Sequence, residues 1–289
     1  MQTTLPHLIP GSDQKENDQK ESDQKEEAVS SASDSLDSNS QVSSSQVSDS
    51  LVSDSLKNDP RRKLIVALDV PTAAAAREIV AAIGDSAWIY KVGMQLYTAE
   101  GPQLVRDLVR SGRRVFLDLK YHDIPHTVAA AVHEAAQLGV SMLTVHASGS
   151  AKMLRVAVDA ARAVKPDLVV LAVTVLTSMD ADDLEKIGIQ STVQDEVLRL
   201  ASLALKSGCQ GIVTSAREAA KLRAELGRDF AIVTPGVRPV GTGHGDQVRV
   251  VTPAEAIAAG ASHIVVGRPI TEAADPAAAA RAILSQIAK

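Results

Sequence analysis

One cysteine, Cys209, stands in 289 residues. That excludes an internal disulfide framework and a cysteine-rich zinc site, and it points to a reducing, cytoplasmic setting. Aromatic residues are scarce at 2%, so a core has to be built from Ala, Val, Leu and Ile. No run of about 18 apolar residues occurs, so no membrane-spanning helix is expected. A formal net charge of −5 argues against a general nucleic-acid binder. A Gly-rich dinucleotide-binding fingerprint is missing after the first strand-like run, which counts against a doubly wound nucleotide fold.

The charge is unevenly placed. Residues 1–59 hold eight Asp and four Glu against four Lys, so this segment carries −8 and the rest of the chain +3. Asp-Gln-Lys-Glu recurs at 13–16, 18–21 and 23–26, and Ser-Asp-Ser-Leu at 33–36, 48–51 and 53–56. The five-residue period fits neither a solenoid nor a heptad. Such a composition buries too little apolar surface to offset the entropy of ordering, so 1–59 is expected to be a disordered tail. It has no continuous apolar stretch for a secretion signal, and its acidity is wrong for an organellar transit peptide. A docking or phosphorylation segment is the functional alternative to a dispensable solvated tail.

From Arg61 onward short apolar runs alternate with Ala-rich stretches of helical period. Strands are predicted at 64–68, 88–93, 115–119, 141–146, 168–174, 211–214, 231–234 and 263–266. Helices are predicted near 72–83, 100–111, 126–138, 150–163, 194–207, 216–225, 252–259 and 276–287. Eight such pairs predict a single (β/α)8 TIM barrel over residues 60–289. The open doubly wound sheet is the plainer alternative.

A barrel of this kind keeps its chemistry at the C-terminal ends of the strands. Those positions hold Asp69, Lys91, Asp118 with Lys120, His146, Thr177, Ser215 and Arg268. Helix capping accounts for Ser215 and partly for Asp69 and Thr177. It does not account for two lysines and an arginine on apolar strands, where a charge is costly without a partner or ligand. Asp118 and Lys120 are two apart, so both should face the barrel mouth while Leu117 and Leu119 face the helices. A buried ion pair alone would explain those two residues equally well. Lys91 on the neighbouring strand and Asp123 just beyond turn the pair into a cluster of alternating charges, a pattern typical of active sites.

The last strand supplies a different chemistry. Ile264-Val265-Val266 runs into Gly267 and Arg268, a close backbone approach followed by a bidentate fork suited to phosphate. The preceding loop, Thr234-Pro235-Gly236-Val237-Arg238 through Asp246-Gln247, carries Gly241, Gly243 and Gly245. A loop of that length in a compact barrel suggests a closing lid.

At this point the body resembles the orotidine 5′-phosphate decarboxylase family. The matching segments are Val66-Ala67-Leu68-Asp69, Lys91-Val92-Gly93, Phe116 through Pro125 with Asp118-Leu119-Lys120-Tyr121-His122-Asp123, Val145-His146-Ala147, Val173 through Ser178, Val233 through Arg238, Asp246-Gln247 and Val266-Gly267-Arg268-Pro269. They occur in the family's order from about residue 64 to 276, and the Asp-x-Lys-x-x-Asp element is the most specific piece. The tail has no counterpart in the family core.

The resemblance implies conversion of orotidine 5′-phosphate to UMP and CO2 in pyrimidine biosynthesis, with no metal or organic cofactor. It implies that Lys120 protonates C6 of the pyrimidine, that Asp118 lies near the substrate carboxylate and that Lys91 completes the charged array. Asp123 is implied to serve the neighbouring subunit of a homodimer with shared sites. Asp69 is implied to contact a ribose hydroxyl, and Thr127 and Thr177 fall at substrate-binding positions. Arg238, Gln247, Gly267 and Arg268 map to the phosphate side. Two departures are visible: His126 stands where Asn is common, and Ser150 where a second Gly is common.

Two other functions compete. A magnesium-dependent sugar-phosphate decarboxylase or synthase of the same superfamily shares Asp-x-Lys-x-x-Asp but places a carboxylate on the second strand. Here that strand carries Lys91, whose charge would repel Mg²⁺. A non-catalytic phosphate-ligand binder or scaffold would tolerate a broken charge cluster, and none of Lys91, Asp118, Lys120 and Asp123 is missing.

Overall fold

All eight apolar runs form strands, and all eight run parallel. They are β1 (Leu64–Ala67), β2 (Ile89–Gly93), β3 (Arg114–Tyr121), β4 (Met142–His146), β5 (Val169–Val173), β6 (Gly211–Val213), β7 (Ala231–Thr234) and β8 (His263–Val266). Each pairs with the next, and β8 closes on β1 through Leu64 opposite Ile264. The computed structural model describes residues 59–239 and 251–288. The tail up to Asn58, and Gly241, Gly243, Gly245, Asp246 and Gln247 of the proposed lid, lie outside the described residues.

Strand alternation divides the barrel into two cores. Ile65, Ala67, Ile89, Phe116, Met142, Leu171, Val233 and Val265 fill the interior, while Leu64, Val66, Tyr90, Val92, Leu117, Leu143, Val170, Ile212 and Ile264 pack outward against the helices. Period-two alternation in strands buried on both faces produces this division. Gly211 is a steric requirement of the interior. A Cβ there would lie 2.5 Å from the Ala231 carbonyl oxygen and 2.8 Å from the Leu171 side chain. At the floor, His263 is held neutral because burial, with the Arg114 charge adding to it, pushes its imidazole down to about 4.

Among the described residues ten helices surround the strands: α1 (Ala73–Ile83), α2 (Met94–Arg110), α3 (Pro125–Gln137), α4 (Ser150–Val164), α5 (Ala181–Lys186), α6 (Val193–Lys206), α7 (Ala216–Leu226), α8 (Pro253–Ala258), α9 (Arg268–Thr271) and α10 (Pro276–Ile287). Their starts are chemically marked. Thr72, Thr192, Ser215 and Asp275 cap α1, α6, α7 and α10, and capping boxes open α5 at Asp180 and α8 at Thr252. Ser215 is thus the helix cap that its position suggested.

Three features depart from the periodicity. The short helices α5 and α9 are too brief to show an apolar repeat. Helix α2 begins at Met94, ahead of the predicted 100–111. Gly101, at φ 66°, and Pro102 kink it, so the sequence shows a start signal inside the helix. Strand β3 runs past 119 to Tyr121, because it bulges. Leu117 pairs with Leu143 and Tyr121 with Val145, so Asp118, Leu119 and Lys120 together stand opposite Thr144.

Candidate active site

At the C-terminal mouth of the barrel, side chains from successive strands meet around a cavity of about 330 Å³, in the range of small-ligand sites. One wall is charged. Lys91 Nζ lies 2.8 Å from Asp69 Oδ1 and 3.7 Å from Asp118 Oδ2, and Lys120 Nζ lies 2.9 Å from Asp118 Oδ1. The four groups form an alternating series, Asp69, Lys91, Asp118 and Lys120, across β1, β2 and β3. Gly93 keeps room for it, since a Cβ there would fall 3.0 Å from Lys91 Nζ.

Alternation of signs is what makes this burial tolerable. The Asp118 side chain is 13% exposed and that of Lys91 11%, so neither charge has much water, and each is offset by neighbours of opposite sign. The pleat argument placed Asp118 and Lys120 on one face, and both line the cavity. Leu119 packs against the helix-side core. Lys120 arrives there through a left-handed backbone, φ 52°, rather than through a regular pleat.

Two further cations border the same cavity. Arg238 and Arg268 both border it, beside Gly236 and Gly267. Burial lowers the pKa of Arg238, the charge of Arg268 lowers it further, and Glu272 partly opposes them. Two guanidinium groups that repel each other in a recess of backbone amides suit a dianionic ligand. The chain on either side of the lid segment is joined here, since Val237 bridges Val251 and the Arg238 N–H donates to the Val251 carbonyl at 3.0 Å. Between the two charged ends the wall is apolar: Val173, Val175, Val213, Val265 and Phe116.

Of the candidate residues, Asp69, Lys91, Asp118, Lys120, Thr177, Arg238, Gly267 and Arg268 line this one cavity. Gln247 lies outside the described residues. Asp123 and Thr127 are exposed and do not border the cavity within one chain. Asp123 stands beyond β3, where its carboxylate accepts the Ile124 N–H at 2.6 Å. Both departures from the family pattern, His126 and Ser150, also lie off the cavity lining.

One neighbour of the array escaped the sequence reading. Thr144 donates its hydroxyl to Asp118 Oδ1 at 3.0 Å and accepts the Lys120 N–H at 2.9 Å. A polar residue at the inward parity of β4, between Met142 and His146, was the available signal. Beyond the strand end the His122 ring lies 5.3 Å from that of His146. Burial, then the His122 and Lys120 charges, hold His146 below its ordinary value against the pull of Asp118.

The family model described as "Orotidine 5′-phosphate decarboxylase / HUMPS family" matches residues 62–283. The chain belongs to this family. It is 50% identical over 231 residues to an orotidine 5′-phosphate decarboxylase of Moorella thermoacetica, covering 78% of this chain and 92% of that protein. It is 53% identical over 226 residues to the enzyme of that name from Halorhodospira halophila, with 78% and 96% covered. Among solved structures, the Lactobacillus acidophilus orotidine 5′-phosphate decarboxylase superposes with a TM-score of 0.71 at 39% identity, over 78% of this chain and 99% of that one. The matched region coincides with the barrel. Family membership therefore attaches to the same residues that build the cavity.

No helix among the described residues is long and apolar enough to cross a membrane. Cys209 is buried, and burial raises its thiol to about 12, so it stays protonated and unreactive.

Proposed function

We propose that the chain decarboxylates orotidine 5′-phosphate to UMP and CO2, the activity its relatives' names carry. The observation that carries this reading is the pairing of an Asp69–Lys91–Asp118–Lys120 series with two arginines across one cavity. A substrate with a phosphate at one end and a ring carboxylate at the other matches both walls. Lys91 also decides against the magnesium-dependent members of the superfamily, because it puts a cation where a metal-binding carboxylate would be needed.

The reaction breaks the bond between C6 and the carboxylate and leaves the electron pair on C6. No carbonyl is placed to delocalise that pair. Lys120 stabilises the developing charge with its ammonium and then passes a proton to C6, leaving a neutral amine that solvent reprotonates. Asp118 holds the Lys120 ammonium at 2.9 Å and sets a negative charge beside the departing carboxylate. Phosphate binding by Arg268 and Arg238 contributes energy remote from the reacting carbon, and Gln247 joins them on the phosphate side. In this reading Asp69 meets a ribose hydroxyl and Thr177 meets the substrate, and their positions on the cavity lining support both roles.

Asp123 and Thr127 complete the site from a second copy of the chain. Their exposure, off the cavity of their own subunit, supports that assignment, as do Ile124, 66% exposed between β3 and α3, and Met94, 55% exposed at the start of α2 just past β2. The catalytic body is residues 60–289, the acidic segment before it lies outside the chemistry, and the setting is cytoplasmic.

The test of the activity is the loss of orotidine 5′-phosphate absorbance on addition of purified protein with EDTA. Full turnover in EDTA is expected; turnover abolished by EDTA would restore the metal-dependent alternative. In the same assay Arg268→Ala should raise KM about 10–100-fold, the scale of losing a charge-assisted bidentate contact, with a much smaller change in kcat. An unchanged KM would remove Arg268 from the phosphate site.

A further inference from the structure

The array holds Lys120 in an expensive conformation. Among the described residues only Lys120 and Ser150 combine a side chain with positive φ. A left-handed backbone is strained for a non-glycine residue, so something nearby has to select it. The β3 bulge sets three residues, Asp118, Leu119 and Lys120, against the single residue Thr144 of β4. The regular ladder to β4 is therefore interrupted where Lys120 lies.

Thr144 fills that gap. Its side chain is fully buried. Its hydroxyl oxygen accepts the Lys120 backbone N–H at 2.9 Å, in place of a ladder carbonyl, and its proton goes to Asp118 Oδ1 at 3.0 Å. Asp118 Oδ1 is the same oxygen that receives Lys120 Nζ at 2.9 Å. One hydroxyl thus fixes the backbone of the proton donor and orients the carboxylate that holds the donor's ammonium. Oδ2 of Asp118 is left to face Lys91.

We propose that Thr144 is a positioning residue for the decarboxylation: it holds the β3 bulge so that Lys120 Nζ stands at the reacting carbon. Thr144 touches no substrate in this scheme and acts through Lys120 and Asp118. Misplacing a reacting group by about an ångström costs roughly a hundredfold in favourable cases. Loss of the hydroxyl loosens the ammonium without removing it, so a smaller penalty follows. The proposal rests on the decarboxylase reading for its kinetic arm and on geometry alone for its structural arm.

The experiment compares Thr144→Val, which keeps the shape and removes the hydroxyl, with Thr144→Ser, which keeps the hydroxyl. Thr144→Val should lower kcat about tenfold or more, with KM within about twofold and the affinity for UMP retained. Thr144→Ser should keep kcat within about threefold of wild type. A Thr144→Val enzyme with wild-type kcat overturns the proposal. So does an equal loss in both variants that follows a lowered Tm, since packing alone would then explain it. A wild-type protein without turnover would overturn the decarboxylase reading instead. In that event the crystal structure of Thr144→Val decides: a shifted Lys120 backbone upholds the positioning role, and an unmoved one overturns it.

Discussion

Lys120→Ala should lose turnover by about 10⁴-fold or more while the protein still folds and binds UMP. General acid catalysis and electrostatic stabilisation of a developing charge contribute about 10²–10⁴ and 10²–10³ respectively, and in this site one ammonium supplies both. A 10⁴-fold loss corresponds to about 5.5 kcal/mol of transition-state stabilisation. Folding survives because Asp118 keeps two other partners, the Thr144 hydroxyl at 3.0 Å and Lys91 at 3.7 Å. Affinity for UMP survives because the phosphate wall of Arg238 and Arg268 lies across the cavity. Turnover of the variant within tenfold of wild type would sink the assignment of Lys120 as the proton donor.

The second large effect concerns Asp123. Asp123→Ala should be nearly as damaging, about a thousandfold in kcat/KM, although the residue is exposed and borders no part of its own chain's cavity. Its carboxylate accepts only the adjacent Ile124 N–H among the bonds described, so stability should change little. The sharper experiment co-expresses Lys120→Ala and Asp123→Ala chains, each inactive alone. In a mixed dimer one site carries both lesions and the other carries neither. About half of randomly assorted dimers are mixed, so close to a quarter of wild-type activity should return. No recovery in purified mixed dimers, or a strictly monomeric variant that is fully active, would show that Asp123 does not serve a neighbouring site.

These expectations depend on geometry at different levels, and the levels were not equally visible. Lys91 stood out as a charge inside an apolar strand, where burial is costly without a partner or ligand. Arg268 stood out for the same reason, one residue past a buried strand and a glycine. Asp123 was visible as a charge just beyond the Asp118 and Lys120 pair, but only the family resemblance pointed it at a neighbouring subunit, because an acidic residue beyond a strand end looks like any solvated loop position. Thr144 carried one signal, its polarity at the inward parity of β4, but a threonine also fits the β-propensity of any strand and is easily passed over. Only the contact with Asp118 and Lys120 separates it from an ordinary core residue.

The sequence by itself determined the eightfold alternation, hence the barrel, and the charges at the strand ends, hence the chemistry. Both are written in local patterns: short apolar runs in strands, a helical period between them, and charges that violate an apolar run. It also determined that Asp118 and Lys120 would share a face. Only the tertiary structure decided how they do so. Lys120 reaches the cavity through a left-handed backbone in a bulge opposite Thr144. A bulge is set by the neighbouring strand's register and by a hydroxyl 24 residues away in sequence, and no periodicity in β3 could reveal it.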